Sequence, residues 1–350
     1  MDTVAKGDTE AEKYIYQLKK KLNLEHIKGH LEKLKSLNVL VIGDAVLDEY
    51  IFVWPKGRAI KDPILSTEFR SGELYAGGIM AIANHVSDYV KKVTMVTLIG
   101  DTNSYVDFIK KSLKPNVELK SFVKAKSYTT LKRRYVDHYR NSKLFKIEYI
   151  NDKPIDEKLT SQVVDYLESE VPKYDLVVVG DFGHGFLNKP IKQELRKLSK
   201  FLAVNTQSNS SNMGYNYFTH YEKPDFMTLS EEELRLPLAM RFEEIEKVAT
   251  QGRKDFEMKN FVVTLGKKGS LYSFNNKLFK APVLTSSVKD TVGAGDALFA
   301  LTSLFAYSKA EPELIPFIGN CAGGIAANIM GNKESVTKDK LLEFAGGLLK

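Results

Sequence analysis

The chain has 350 residues, with 43% hydrophobic and 27% charged side chains and a formal net charge of +7. This composition is that of a globular protein with a sizeable core, and no apolar run approaches the roughly 18 residues of a membrane span. The single cysteine, Cys321, excludes an internal disulfide, and the N-terminus lacks an apolar signal core, so we expect a cytoplasmic protein with no membrane partner.

Basic residues are concentrated in two stretches, 19–35 and 120–146. Such charge is typical of proteins that bind nucleic acid, and it also suits an anionic small substrate. No recognised nucleic-acid motif accompanies it. We therefore expect no nucleic-acid partner and favour the small substrate.

The beginning of the chain differs from the rest. Residues 1–37 are polar and helical in pattern, with a thin apolar stripe that includes Leu18 and Leu22. We interpret them as an N-terminal extension or linker. A main domain is expected over residues 38–350, because the apolar run at 38–43 is typical of a buried first strand.

Apolar runs and helical patterns then alternate, which predicts an α/β fold with helices on both faces of a mainly parallel sheet. The predicted strands are 93–99, 175–180, 201–205, 226–229 and 260–265, with a hairpin at 270–274 and 277–281. The predicted helices are 78–89, 105–113, 156–168, 189–200 and 242–251.

Two regions break this alternation. Segments 49–54 and 66–69, and then 128–136 and 144–149, alternate in the manner of partly exposed antiparallel strands. We interpret them as a small β-sheet lid formed from about 49–70 and 127–149.

The most informative motif is Asp290-Thr291-Val292-Gly293-Ala294-Gly295-Asp296, which precedes an apolar helix. A helix N-terminus carries unpaired N–H groups and partial positive charge, so it suits an anion. Gly293 and Gly295 allow a phosphate to approach the backbone, and Asp296 is within reach as a general base. The motif therefore predicts phosphoryl transfer to a hydroxyl.

Several residues are candidates for the acceptor side. Asp48 follows the first predicted strand, where ligands of open α/β sheets bind, and Gly77-Gly78 precedes a helix. Lys132 and Arg134 share one face of a predicted strand, where two cations can clamp a phosphate. A turn aspartate, a tight glycine turn and a solvated edge strand are the structural alternatives.

Two further acids follow predicted strands. Asp181 lies in the glycine-rich loop 180–185, which favours a site loop over a plain turn, and it could form a dyad with His184. Glu231 begins a helix, where it either caps the N-terminus or holds hydrated magnesium.

The run from Thr264 to Gly269, with Gly266 between them, superficially resembles a P-loop. The spacing G-x-x-x-x-G-K-[ST] is absent and a strand follows, so a P-loop ATPase is rejected. The first strand–helix turn also lacks G-x-G-x-x-G, which argues against a dinucleotide enzyme.

These motifs together resemble the ribokinase-like (PfkB) carbohydrate kinase family over about residues 38–346, through the run from Asp290 to Asp296 and the glycine pair. Within the family, segments 41–44 and 47–50 are most similar to the kinase part of bifunctional heptose-phosphate kinase/nucleotidyltransferases. Segments 181–185 and 205–207 resemble a cytidylyltransferase-related branch. The bifunctional heptose-phosphate enzymes phosphorylate heptose 7-phosphate at C1 from ATP.

The resemblance implies a ribokinase-like three-layer α/β/α sandwich and a role for each matching residue. Asp296 is then the base, and the N–H groups of Gly293, Ala294 and Gly295 form the anion hole. Asp48, Gly77, Gly78, Lys132, Arg134 and Asp181 are the implied or candidate sugar contacts. ATP is expected at Thr264, Gly266, Gly269, Asn320 and Gly324, with Mg²⁺ at Glu231.

Three positions depart from the family pattern. Ala81 replaces an asparagine that contacts sugar, Thr228 replaces the asparagine of N-x-x-E, and Gln207 replaces a lysine near the phosphates. These changes affect which acceptor sugar and which catalytic rate we expect.

The sequence thus predicts an ATP- and Mg²⁺-dependent sugar kinase. The basic lid favours a phosphorylated acceptor such as heptose 7-phosphate, which would yield the 1,7-bisphosphate. A kinase of an unphosphorylated sugar or nucleoside, and a degenerate fold that binds a nucleotide sugar without turnover, are the alternatives. The resemblance also implies a homodimer through the lid and a fused or partner nucleotidyltransferase.

Overall fold

A computed structural model describes residues 9–285 and 287–350. The strands are β1 (Asn38–Arg58), β2 (Leu65–Gly78), β3 (Lys92–Thr102), β4 (Val117–Tyr128), β5 (Thr130–Asp137), β6 (Lys143–Tyr149), β7 (Leu176–Asp181), β8 (Leu202–Thr206), β9 (Phe226–Ser230), β10 (Asn260–Thr264), β11 (Ser270–Phe274) and β12 (Lys277–Ala281). The helices are α1 (Thr9–Lys19), α2 (Leu24–Leu34), α3 (Ile79–Ser87), α4 (Val106–Ser112), α5 (Glu157–Glu170), α6 (Lys189–Leu198), α7 (Glu231–Leu238), α8 (Ile245–Asp255), α9 (Ala294–Tyr307), α10 (Leu314–Ala326) and α11 (Lys338–Leu349).

The central sheet has the order β12-β11-β10-β9-β8-β7-β1-β3-β4. Strands from β10 to β4 pair in parallel, and the hairpin β11–β12 adds antiparallel strands at one edge. Side chains alternate across a strand. Val39 and Val41 accordingly belong to one hydrophobic cluster, and Leu40 and Ile42 to another. Helices cover both faces, which confirms the predicted three-layer α/β fold.

The lid is built on the same strand that opens the central sheet. β1 does not end near residue 43, as predicted, but continues to Arg58. It continues because its second half pairs with β2 on one side and β5 on the other, and β6 completes the lid sheet. The antiparallel pairs β1–β2 and β5–β6 are the two that the sequence predicts.

The N-terminal helices pack on the main domain. Asn23 caps α2 by accepting hydrogen bonds from the amides of Glu25 and His26. Leu18 and Leu31 join the same hydrophobic cluster as Val39, and α2 contacts α11. Residues 1–8 of the predicted extension lie outside the described residues. Among the described helices, none is long and apolar enough to cross a membrane.

Candidate active site

The start of α9 forms the centre of the site. Gly293, the residue before α9, has φ +83°, and a Cβ there would overlap the Oδ1 atom of Asn332. Only glycine fits this position without strain. At Gly295 a Cβ would meet nothing within 4 Å, so open space faces the helix there. The Ala294 amide donates to the Thr291 carbonyl at 3.4 Å, so this member of the predicted anion hole is partly engaged.

Asp296, in the first turn of α9, is buried and hydrogen-bonded. The Gln207 Nε2 atom donates to its Oδ1 atom at 3.2 Å. Burial, aided by nearby Asp48, raises the pKa of Asp296 to about 7 against the opposing effects of Lys132 and Gln207. A carboxylate with this pKa suits a general base that works near neutral pH.

Asp296 lines a cavity of about 250 Å³ beneath the lid. Its other walls include Asp48, Gly78, Lys132 and Arg134, four of the predicted acceptor-side residues. Asp48 on β1 is the register partner of Lys132 on β5, so both side chains lie on the inner face of the lid. The structure thus brings these predicted residues together with the predicted base.

The two predicted cations, Arg134 and Lys132, differ in their contacts. Arg134 forms an ion pair with Asp48, and both side chains are largely buried. The Lys132 ammonium has no hydrogen-bond partner among the described residues, and burial lowers its pKa while Asp48 opposes this. Arg134 therefore orients Asp48, and Lys132 is the one that is free for a ligand. Gly77 lies against Asp48, since a Cβ there would overlap the Asp48 Oδ2 atom.

A second cavity, of about 540 Å³, adjoins the first. All five predicted nucleotide residues line it: Thr264, Gly266, Gly269, Asn320 and Gly324. Thr291 and Gly295 lie in the walls of both cavities, so the two meet at the start of α9. The Asn320 amide donates to the carbonyls of Ala281 and Pro282 at 2.8 and 2.7 Å. It therefore fixes the loop after β12, and its NH₂ group is not free for adenine.

Asp181 does not line the acceptor cavity. Its Oδ2 atom accepts from Lys192 Nζ and Tyr221 Oη at 2.8 Å each, and its Oδ1 atom accepts from the side chain of Asn216 and the amide of Gly183. Both oxygens are thus occupied in a buried network that joins β7 to its neighbours. Substrate binding by Asp181 stays a prediction, and these contacts do not support it.

Glu231 pairs with Arg235 at 2.9 and 2.7 Å, in the wall of a broad cleft that shares Thr264 and Gly266 with the nucleotide cavity. Among the described residues, no group of three or more acids, histidines or cysteines could hold a metal. Such a site fits Mg²⁺ bound mainly by phosphates and water, with one carboxylate at most nearby.

One contact that the sequence did not predict connects the lid to the α9 motif. Asp290 accepts hydrogen bonds from Tyr50 Oη at 2.8 Å and Lys143 Nζ at 2.9 Å. Burial favours a higher pKa for Asp290, but Lys143, Tyr50 and the Val292 amide outweigh it and hold the pKa below its usual value. The only sequence signal was the place of Asp290 at the head of the motif.

The comparison with known proteins agrees with this geometry. The model of the pfkB family carbohydrate kinases matches residues 36–332. The chain belongs to the pfkB family of carbohydrate kinases. This confirms the predicted family and the predicted enzyme class.

Two curated relatives of this pfkB kinase are bifunctional proteins HldE. The HldE of Desulfatibacillum aliphaticivorans is 23% identical over 302 residues, which cover 85% of this chain and 60% of the relative. That of Histophilus somni is 24% identical over 298 residues, covering 84% and 60%. The chain thus spans about three fifths of the length of these relatives.

Solved structures show the same fold. Phosphofructokinase-2 from Escherichia coli has a TM-score of 0.70 at 15% identity, covering 90% of this chain and all of that one. Ribokinase from Thermotoga maritima has a TM-score of 0.65 at 17% identity, covering 88% and 99%. The ribokinase-like fold is therefore confirmed. We infer the acceptor substrate from the chemistry of the site.

Proposed function

We propose that this pfkB kinase transfers the γ-phosphoryl group of ATP to a hydroxyl of a sugar phosphate such as heptose 7-phosphate, giving the 1,7-bisphosphate. The observation that carries the proposal is the position of Asp296. It lines the acceptor cavity beside Gly295, which also lines the nucleotide cavity.

The residues at the start of α9 divide the chemistry between them. Asp296 takes the proton of the acceptor hydroxyl as that oxygen forms a bond to the γ-phosphorus, and the bond from this phosphorus to the β–γ bridging oxygen breaks to release ADP. Amides in the first turn, those of Gly293 and Gly295 above all, donate to the charge that develops on the phosphoryl oxygens. Mg²⁺, when bound near Glu231, would neutralise phosphate charge.

The charge of the lid favours a phosphorylated acceptor. Register pairs Lys132 with Glu148 and Arg134 with Lys146, so these side chains share the inner face of the lid. Lys146 contacts Glu148 at 2.8 Å and Ser210 at 2.7 Å, and Lys132 has no such partner. An anionic group would supply the partner that Lys132 lacks. The resemblance to heptose-phosphate kinases and the HldE relatives support the same class of acceptor.

The ion pair between Arg134 and Asp48 favours a second candidate, a kinase of an uncharged sugar or nucleoside, because it leaves only Lys132 for a phosphate. The two candidates differ in how KM responds to a phosphate group on the acceptor. The first predicts a lower KM for the sugar phosphate than for the free sugar, and the second does not. For the first, we also propose a nucleotidyltransferase, fused or separate, that consumes the product, since the HldE relatives are named bifunctional.

The test is ADP release over a panel of hexoses, heptoses, riboses and their phosphates. We expect sugar-dependent ADP release, with the highest kcat/KM for a phosphorylated heptose. Asp296→Asn should lower kcat by about 10²–10⁴-fold because the base is lost. Asp339→Asn, an exposed acid in the first turn of α11, is the matched control and should leave kcat unchanged.

An Asp296→Asn enzyme with near wild-type rates would overturn the role of Asp296. If no sugar of the panel stimulates ADP release, the result would favour a fold that binds a nucleotide sugar without turnover.

A further inference from the structure

A small polar cavity lies next to the acceptor cavity and has no part in the proposed phosphoryl transfer. Its volume is about 10 Å³, room for roughly one water-sized group. Polar side chains dominate its wall: Asp44, Lys124, Ser127, Thr130, Asn151 and His184.

His184 is the unusual member of this wall. The residue is 3% exposed, and neither ring nitrogen has a hydrogen-bond partner among the described residues. The nearest carboxylate oxygen, Asp152 Oδ1, lies 3.9 Å from Nδ1, beyond hydrogen-bond distance. Buried polar groups nearly always have partners, so an orphaned imidazole in a cavity wall points to a group that the protein itself does not supply.

The loop that carries His184 is fixed in place. Gly183 and Gly185 have φ values of +73° and +86°, and a Cβ at Gly185 would overlap the Lys153 carbonyl. The His184 amide donates to Asp44 Oδ2 at 3.3 Å. The Lys124 ammonium donates to the carbonyls of Asn151, at 2.8 Å, and Lys153. The ring is therefore held by its backbone, while its nitrogens stay free.

Three chain segments pass from this cavity to the acceptor cavity within two residues. Asp44 leads to Val46, Thr130 leads to Lys132, and Phe182 precedes His184. Two residues of a strand span about 6.6 Å, roughly the length of a hexose ring. Along β1 the small cavity lies on the side of Val46 away from Tyr50, which contacts Asp290 of the α9 motif. The small cavity therefore adjoins the acceptor cavity on the side away from the contact between Tyr50 and Asp290.

The charges in the wall suit a hydroxyl. Burial, aided by Lys132, lowers the pKa of His184 to about 3, so the ring is neutral at pH 7 and offers one donor and one acceptor. A hydroxyl needs one of each. A phosphate would be too large for the cavity, and it would face the carboxyl groups of Asp44 and Asp152.

We propose that His184 binds a hydroxyl of the acceptor sugar, at the end of the sugar remote from the reacting hydroxyl, and so determines specificity. The proposal rests on the proposed function, because it assigns a subsite to the same acceptor. The phosphate of the acceptor is expected at Lys132, not in this cavity.

The test combines a variant with deoxy acceptors. We compare heptose 7-phosphate with its monodeoxy analogues on the wild type and on His184→Leu. One analogue should lose at least about 10-fold in kcat/KM on the wild type, since it leaves the ring unpaired. On His184→Leu the same analogue and the parent sugar should differ by less than about 3-fold.

Control variants accompany this comparison of wild type and His184→Leu. His184→Leu removes no hydrogen bond of the ring, so its Tm should stay within a few degrees of the wild type. His184→Gln keeps a donor and an acceptor and should retain part of the discrimination. His220→Leu, outside both cavities, should retain all of it.

A binding measurement separates this proposal from the proposed function. The chain has six histidines, so the ring ¹⁵N signals of His184 can be assigned by their loss in His184→Leu. Heptose 7-phosphate without ATP should shift them. A shift without ADP release would support the subsite and contradict the kinase activity. Turnover with no shift and no altered deoxy discrimination would overturn the subsite alone, and neither shift nor turnover would overturn both.

Discussion

At the scale of single residues, burial raises the pKa of the proposed base Asp296, and its hydrogen bond from Gln207 works against this rise. The amide N–H of Gln207 stabilises the charged carboxylate, whereas burial and Asp48 disfavour it. The resemblance to the heptose-phosphate kinases implies a lysine at the position of Gln207, so a dipole lies beside the base in place of a full positive charge. A lysine would hold the pKa lower.

The pH dependence of kcat/KM should reveal this balance. Transfer needs deprotonated Asp296, so activity should rise with pH through about 7. Gln207→Leu removes a hydrogen bond that lowers the pKa, so the rising limb should move to higher pH. Activity should then fall more at pH 6.5 than at pH 8.5. The measurement is a kcat/KM profile of both enzymes from pH 5.5 to 9.

Asp44 offers a check on the assignment, because burial and nearby Asp181 raise its pKa to about 7 as well. A limb that Gln207→Leu does not move would assign the titration to Asp44 or another group and contradict the role of Asp296.

At the scale of elements, the two glycines at the start of α9 have different tasks. Gly293 has a positive φ and lies against Asn332, whereas Gly295 has helical geometry and faces open space in both cavities. Gly293 is thus required by the conformation of the backbone. Gly295 is required because it leaves space for the ligand.

Alanine at each position should separate these tasks. Gly293→Ala should destabilise the fold by about 1–3 kcal/mol or more, because of the backbone strain and the clash with Asn332. Gly295→Ala should keep or raise the stability, since alanine is the better helix former by up to about 1 kcal/mol. It should still lower kcat by more than about 10-fold, because the methyl group enters the space of the phosphoryl group. Thermal unfolding and ADP release measure the two effects, and a fully active Gly295→Ala enzyme would contradict the anion hole.

Elements were predictable where local pattern decides them. The hairpin β11–β12 has the predicted bounds, because its alternation and turn are local. Asp48, Lys132 and Asp296 line one cavity, as their motifs led us to expect. The full length of β1 was not predictable, because it depends on pairing with two strands that come later in the chain.

Contacts between side chains that are distant in the sequence could not be predicted either. The ion pair of Arg134 with Asp48 spans 86 residues, and the bond from Tyr221 to Asp181 spans 40. In the sequence, each of these side chains is a plausible ligand contact by itself. Only the folded chain reveals that Asp181 is occupied and that Lys132 is free.

At the scale of the whole molecule, the outer face of the lid carries exposed apolar side chains. Phe145 and Ile147 on β6 are 46% and 42% exposed, and Phe145 stacks on Tyr135 with ring centroids 4.5 Å apart. An exposed apolar sheet face is typical of a protein interface. We propose that two copies of the chain pair through this outer lid face.

The mass in solution tests the dimer. At micromolar concentration, light scattering should give twice the chain mass for the wild type and a single mass for Ile147→Glu, because a buried charge opposes association. Val123→Glu is the matched control, since Val123 is 52% exposed on β4 outside the lid, and it should remain dimeric. A monomeric wild type would contradict the proposal, as would a dimer that survives Ile147→Glu.

The contacts of Asp290 have a consequence for the order of events in catalysis. One carboxylate joins Tyr50 of β1 and Lys143 of β6 to the loop that begins α9. A lid displaced from its closed position would therefore pull on the cradle for the γ-phosphate as well. If the lid opens before the sugar binds, ATP would then meet an incomplete site. Closure of the lid would complete the site, so loss of the Asp290 contacts should increase transfer to water relative to transfer to the sugar.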